Sequence, residues 1–160
     1  MTEKWDRYFL SLALAASRMS KDPSTRVGAL LVRDQALVST GFNGFPPGIA
    51  DDHRLLTREL KLPLMVHGEM NAILIAARSG HATQGTTLYI ACEGAAGVWG
   101  GPPCTRCAVE CIQAGVREVV SYPMKTVPSR WQEDLQQSQA ILAEAGVVFR
   151  SLPIHAAAGD

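Results

Sequence analysis

The chain has no excess of charge of either sign. Its 15 Lys and Arg residues are matched by 15 Asp and Glu, so the formal net charge over 160 residues is zero. A protein that works on polynucleotide phosphates usually needs a basic face or tail, and neither is written here. A small anionic substrate stays open, since a few local charges can hold one. Long hydrophobic runs are also missing. The apolar run Tyr8 to Ala16 in "MTEKWDRYFLSLALAASRMS" is too short to span a bilayer. Glu3 and Asp6 precede it, where a signal peptide would carry a basic front. An amphipathic helix is expected there, with no membrane partner and a cytoplasmic, reducing location. In such a compartment a disulfide is disfavoured, and metal binding or catalysis moves up for the cysteines. Internal repeats and low-complexity linkers are absent as well. At 47% hydrophobic and 19% charged residues, the chain is expected to form one globular domain with a single full core.

Apolar spacing predicts a helix over Trp5 to Met19, with Trp5, Tyr8, Phe9, Leu12 and Ala16 on one face. Pro23 in "SKDPST" ends the helical stretch. "VGALLV" and "ALVSTGF", separated by "RDQ", read as a hairpin. A Gly/Pro loop over Asn43 to Asp52 follows, then a short helix in "HRLLTRELKL" stopped near Pro63. "HGEMNAILIAARSG" and "CTRCAVECIQAG" read as helices ended by Gly80 and Gly115, each followed by a strand after or between them, "TTLYIA" and "VREVVSY". Gln132 to Ala145 reads as a helix and "VVF" as a last strand, with residues 153–160 a mobile tail. After the hairpin, strands alternate with helices. The expected fold of residues 1–152 is therefore an α/β three-layer α/β/α sandwich around one five-stranded mixed sheet. Its later strands should be parallel neighbours joined by right-handed crossovers.

All four cysteines fall in "ACEGAAGVWGGPPCTRCAVEC", two of them as Cys-x-x-Cys. His67 opens one predicted helix, and Cys104 and Cys107 open the next. In a parallel β-α-β unit successive helices begin at the same end of the sheet, so these N-termini come side by side. Cysteines at i and i+3 share one face of a first turn, where the helix dipole favours thiolates. Three protein ligands leave a fourth tetrahedral position for water, the mark of a catalytic zinc. Glu69 lies two residues from His67 and can lean into the pocket as a proton carrier. H-x-E followed by P-C-x-x-C is the signature of zinc deaminases, and here it reads "HGE" and "PCTRC". Two other readings of the thiols stay open. They could form a redox pair, or half of a closed structural zinc site completed by Cys92, Cys111 or His53. Cys111 reads as a packed apolar residue, Cys92 as a buried strand end, and His81 and His155 as solvated.

With those motifs in place the chain resembles the cytidine/deoxycytidylate deaminase superfamily, and within it the dCMP deaminases. "SKDPSTRVGALLV", "GFNGFPPGIADD", "HGEMNAI", "GPPCTRCA", "CIQAGVREVV" and "AGVVFR" carry the resemblance, which covers roughly residues 5 to 150. It implies one Zn2+ per subunit on His67, Cys104 and Cys107, with Glu69 as proton shuttle. It also implies that Asn43 bonds the sugar, that Gly28 and Ala29 lie by the base, and that the main chain at Gly68, Glu69 and Pro103 reads the ring. Lys21, Ser24 and Arg26, with Ser20 nearby, are then the expected 5′-phosphate contacts. The implied reaction is deamination of dCMP to dUMP, and the longer loop before Pro103, whose residues could line the edge of the base, extends the expectation to 5-substituted dCMP. The implied assembly is a homohexamer with dCTP and dTTP as effectors, and Mg2+ accompanying a nucleotide effector. "CEGAAGVWGG" is longer than the corresponding stretch in relatives, which makes the Gly94 to Gly101 loop either a lid with Trp99 near the substrate or an ordinary surface or subunit-contact loop. Ile49 stands where some relatives hold a second metal ligand, so a second metal is not expected. A deaminase of another base or of tRNA adenosine, and a non-catalytic nucleotide-binding protein with a structural zinc, are the competing readings. A purely structural site has no use for Glu69.

Overall fold

The computed structural model describes residues 1–124 and 129–154. The expected mobility of residues 155–160, and the expected solvation of His155, lie outside the described residues.

The sheet starts from a hairpin. β1 (Thr25–Arg33) and β2 (Ala36–Phe42) pair antiparallel across a two-residue turn, Asp34 and Gln35, with φ of 50° and 63°. Two successive left-handed residues give a turn whose twist matches that of the strands it joins. β3 (Thr87–Gly94) lies on the other side of β1, antiparallel to it. β5 (Glu118–Ser121) and β6 (Val148–Ser151) then add in parallel, giving the order β2-β1-β3-β5-β6. The five expected strands are all there, and the sheet has a sixth. β4 (Gly97–Trp99) folds back on β3 around Ala95 and Ala96, within the stretch expected to be a loop. Its three residues, Gly97, Val98 and Trp99, follow glycine and alanine and are too few to show the alternation that marks a strand.

Three helices cover one face of the sheet. α3 (Gly68–Arg78), α4 (Thr105–Gln113) and α5 (Ser129–Glu144) bring Ala72, Ala76, Ala108, Cys111 and Leu142 against Ala29, Leu31, Leu88, Ile90 and Val119. α1 (Glu3–Ser17) covers the opposite face with Phe9, Leu10 and Ala13 on Leu30, Val32, Tyr89 and Val120. Its buried stripe is Asp6, Phe9, Leu10, Ala13, Ala16 and Ser17, rotated from the expected one, and Tyr8 is half exposed. The rotation follows from Asp6. Its carboxylate accepts hydrogen bonds from Tyr89 Oη at 2.6 Å and Arg150 Nη1 at 2.9 Å, so a charged residue can hold a core position.

Between β2 and α3 the chain makes a long excursion. It contains 3-10 turns at His53–Leu56 and Leu62–Leu64 around one turn of α-helix, α2 (Arg58–Lys61). The expected short helix is thus broken into three pieces, the last carrying Pro63 at its start. Gly44 and Val66 exchange backbone hydrogen bonds of 3.1 and 2.9 Å, closing the excursion at its neck. Because β2 and β3 both oppose β1, they run the same way. The helices that follow them, α3 and α4, therefore begin at one end of the sheet.

Candidate active site

His67 and Cys104 are the N-cap residues of α3 and α4, and Cys107 lies on the first turn of α4. Their carbonyls accept the first helical bonds, from Asn71 N and Ala108 N at 2.8 Å each. Asn71 Nδ2 also donates to Phe42 O at 2.8 Å, tying the start of α3 to the end of β2. Asp134 of α5 holds the start of α4, accepting from Thr105 N at 3.1 Å and Thr105 Oγ1 at 2.8 Å. Both helix ends are fixed before any ligand is considered.

His67 Nδ1 lies 3.5 Å from Cys104 Sγ and 3.4 Å from Cys107 Sγ. A tetrahedral zinc with bonds of roughly 2.05 Å to nitrogen and 2.3 Å to sulfur has nitrogen–sulfur edges of about 3.6 Å. The donor set and its spacing therefore fit zinc. All three donor atoms lie within 4.8 Å of one another, and no fourth His, Cys, Asp or Glu joins the group among the described residues. Cys111 is buried in the core, and His53 is 78% exposed in its side chain. Cys92 is buried on the cavity wall, and all four cysteines are free thiols.

The hydrogen bond from Cys107, opposed by burial and reinforced by His67, pulls the Cys104 thiol down to about 4. The proton stays with Cys107, whose thiol is pushed up by the same contact and by burial. The Cys104 thiolate in turn lifts the His67 imidazolium to about 9. Cation binding here displaces the protons of His67 and Cys107, since imidazole and thiolate ligate only when deprotonated. Glu69, the second residue of α3, is buried, and its carboxyl is pushed up first by desolvation and then by the Cys104 charge.

The group opens into a cavity of about 170 Å³. His67, Glu69 and Cys104 line it, with Asp22, Ser24, Thr25, Asn43, Arg58 and Lys61 as further polar residues. Ile90, Trp99, Pro102, Trp131 and Leu135 supply apolar surface. Asn43 is buried, and its side-chain amide is fixed to β1. Its Oδ1 accepts from Val27 N at 2.7 Å and its Nδ2 donates to Thr25 O at 2.9 Å.

The other residues singled out in the sequence have varied places. Ser24 lines the cavity, whereas Lys21 is paired with Asp51 at 2.8 Å and Arg26 with Glu93 at 2.8 Å, and neither lines it. Ser20 is buried and accepts from Asp22 N at 3.2 Å. Gly28 faces α1: a Cβ on it would stand 1.9 Å from Ala13 O. Ala29 is in the core, and it is Val27 of this strand that reaches the cavity. Gly68 packs on Val27. The Pro103 carbonyl accepts from the buried Ser138 hydroxyl at 2.6 Å. Trp99 lines the cavity from a paired strand, which gives it a wall's position.

Arg58, Lys61 and Trp131 line the cavity without having been singled out. Lys61 is 8% exposed and donates to Asp22 Oδ1 at 3.0 Å and Ser24 Oγ at 3.4 Å. The spacing of Arg58 and Lys61 in "RELK" puts both on one helical face, a signal too short to stand out alone.

Residues 3–122 match the family described as the cytidine and deoxycytidylate deaminase zinc-binding region. A protein of Aliivibrio fischeri described as an uncharacterized deaminase in the luxG 3′region is 36% identical over 156 residues, covering 96% of this chain and 97% of its own. The deoxycytidylate deaminase of Mus musculus is 33% identical over 154 residues, covering 92% of this chain and 79% of its own. The dCMP deaminase of cyanophage S-TIM5, solved with dCMP and dUMP, superposes with a TM-score of 0.75 at 22% identity, covering 95% of this chain and 99% of its own. That likeness extends the fold assignment over nearly the whole chain. With its three-donor group at paired helix starts and its buried glutamate beside them, the chain belongs to the cytidine and deoxycytidylate deaminase family.

Proposed function

We propose that the protein is a zinc-dependent hydrolase that converts dCMP and water to dUMP and ammonia. The observation that carries this is the buried Glu69 carboxyl lining the same cavity as a three-donor group with zinc's tetrahedral edge. Relatives at 32 to 33% identity that are named deoxycytidylate deaminases support the choice of nucleotide. Zinc on His67, Cys104 and Cys107 supplies a Lewis acid that brings the pKa of water to roughly 7. Glu69 takes the proton from the attacking water and passes it to N3 of the ring as C4 is attacked. It then moves the remaining proton from the new hydroxyl at C4 to the amine, so that ammonia leaves and C4 becomes a carbonyl. The start of α3, at Gly68 and Glu69, offers backbone N–H groups to the ring carbonyl.

Asn43 presents the sugar-binding group. One of its N–H bonds and one lone pair are used on β1, and an amide has one more of each for a hydroxyl. The 5′-phosphate falls to Ser24 with Arg58 and Lys61. Lys21 and Arg26 do not line the cavity and are paired with Asp51 and Glu93 outside it, so only Ser24 of the loop before β1 is assigned to the phosphate. The same reading carries one metal per chain, a multi-subunit assembly, and a response to dCTP and dTTP with Mg2+. Light scattering of the zinc-loaded protein with each nucleotide tests the last two.

The decisive measurement is ammonia release from dCMP, with Glu69→Gln alongside. The variant should keep its zinc and lose roughly 10²- to 10⁴-fold in kcat. Full activity in a zinc-loaded Glu69→Gln protein removes the glutamate from the mechanism.

A further inference from the structure

The charged groups of the cavity lie on one side, where Val27, Leu62 and Met65 are also exposed to it, and the other side is mainly apolar. The loop before β1, Asn43 and α2 supply the polar side. Ile90, Trp99, Pro102, Trp131 and Leu135, from β3, the β4 segment and α5, supply the apolar one. Trp99 stands directly opposite Cys92 in the β3–β4 pairing, and opposed residues share a sheet face. Ile90 lies two residues before Cys92 on that same face, so the indole completes a row of three. The row is held in place from behind. Gly100 N donates to Pro123 O at 3.3 Å, and Gly101 N donates to Ser121 Oγ at 2.8 Å. A Cβ at Gly100 would stand 2.4 Å from Tyr122 O, which shows how closely this segment lies on the end of β5. These contacts hold the chain just after Trp99 against the end of β5.

A cytosine ring has polar atoms at O2, N3 and N4 and one bare edge, C5–H and C6–H. On the deamination reading, which this inference rests on, C4 lies at the His67, Cys104 and Cys107 group and N3 turns to Glu69. Glu69 belongs to α3, while the chain from Trp99 to Cys104 leads into α4, the helix packed beside it. A ring with N3 toward α3 therefore turns C5 toward the Trp99 segment. We propose that Trp99 gauges the 5-position of the pyrimidine, its indole bearing on the C5 edge and rejecting substituents there. The long β3–β4 hairpin thus narrows the substrate range to the unsubstituted base, the reverse of a pocket enlarged for 5-substituted dCMP.

The test compares kcat/KM for dCMP and 5-methyl-dCMP, and inhibition by dUMP and 5-bromo-dUMP, in the zinc-loaded wild type, Trp99→Phe and Trp99→Leu. One added methyl-sized group against a rigid apolar wall is expected to cost the wild type roughly 10- to 200-fold in kcat/KM. Trp99→Leu should narrow that ratio about tenfold or more, with Trp99→Phe in between and zinc content unchanged. Wild-type protein that treats both substrates and both inhibitors alike overturns the proposal, whether or not either variant folds. So does an unchanged ratio in folded, zinc-loaded Trp99→Leu. Absence of any dCMP turnover overturns the deamination reading and this inference with it. Turnover of dCMP without discrimination overturns the inference alone.

Discussion

Replacing Lys61 by methionine removes one charge and keeps most of the side chain's length. Lys61 and Asp22 are 10% and 7% exposed in their side chains, with Nζ and Oδ1 3.0 Å apart. Breaking a buried pair from one side costs roughly 3–5 kcal/mol, because the other charge is left uncompensated. Asp22 keeps the N–H groups of Ser24 at 2.8 Å and Thr25 at 3.4 Å. The lower end, about 3 kcal/mol, is therefore expected. For a domain of this size that lowers Tm by roughly 6 to 12 °C. The catalytic effect is separate. Loss of one charge-assisted bond to phosphate, about 1.5–3 kcal/mol, should raise KM for dCMP roughly ten- to hundredfold while leaving turnover of deoxycytidine nearly unchanged. Adding Asp22→Asn removes the stranded carboxylate and should restore most of the lost stability without restoring KM. Calorimetry on the three proteins, with steady-state rates on both substrates, reads each effect. Equal KM changes for nucleotide and nucleoside, or a KM that recovers with Tm in the double variant, would refute the phosphate contact.

Prolonged dialysis against a zinc chelator should abolish ammonia release and added Zn2+ should restore it, while Cys104→Ala should lower the metal bound per chain. Activity that survives complete metal removal contradicts the assigned ligands. Burial acts to raise the Asp6 carboxyl, but hydrogen bonds from Arg150 and Tyr89 outweigh it and hold the group below its usual range. Its stabilisation is thus complete above the unfolded value of about 3.9 and is lost as pH falls through the lower folded value, so Asp6→Asn should flatten the acid limb of a stability–pH curve. An unchanged limb denies the pairing its role. Gly28→Ala places a methyl 1.9 Å from Ala13 O and 2.5 Å from Ser17 N, forcing α1 off the sheet, and should cost about 3 kcal/mol or more in urea unfolding. A loss below roughly 1 kcal/mol means that the helix yields more easily than this packing implies.

Where the sequence states its structure locally, it can be read. The three zinc donors are set by short spacings, and the alternation of strands and helices brings His67 beside Cys104. The hairpin of β1 and β2 is likewise marked by its apolar runs. Long-range pairing is where reading stops. Nothing near Lys21 or Arg26 announces that Asp51 and Glu93 take their charges. Nothing near Asp6 announces Arg150, and without that partner its place in a buried stripe looks wrong for a carboxylate. β4 escaped because it is only three residues long, Gly97–Trp99, too short for an alternating pattern to show. Arg58 and Lys61 escaped because one turn of helix has no period to detect.

The Gly44–Val66 bridge has an evolutionary consequence. It is made by backbone groups alone, so it survives nearly any change of side chain within the segment it closes. Arg58 and Lys61 ride on that segment, and His67 begins immediately outside it. The metal-binding group at the helix starts is therefore set apart in the chain from a segment closed at its neck by main-chain bonds and held inside by the Lys61–Asp22 pair. A change at Arg58 can alter which charged group is admitted at the mouth, whereas a change at Lys61 also strands the buried Asp22 carboxylate.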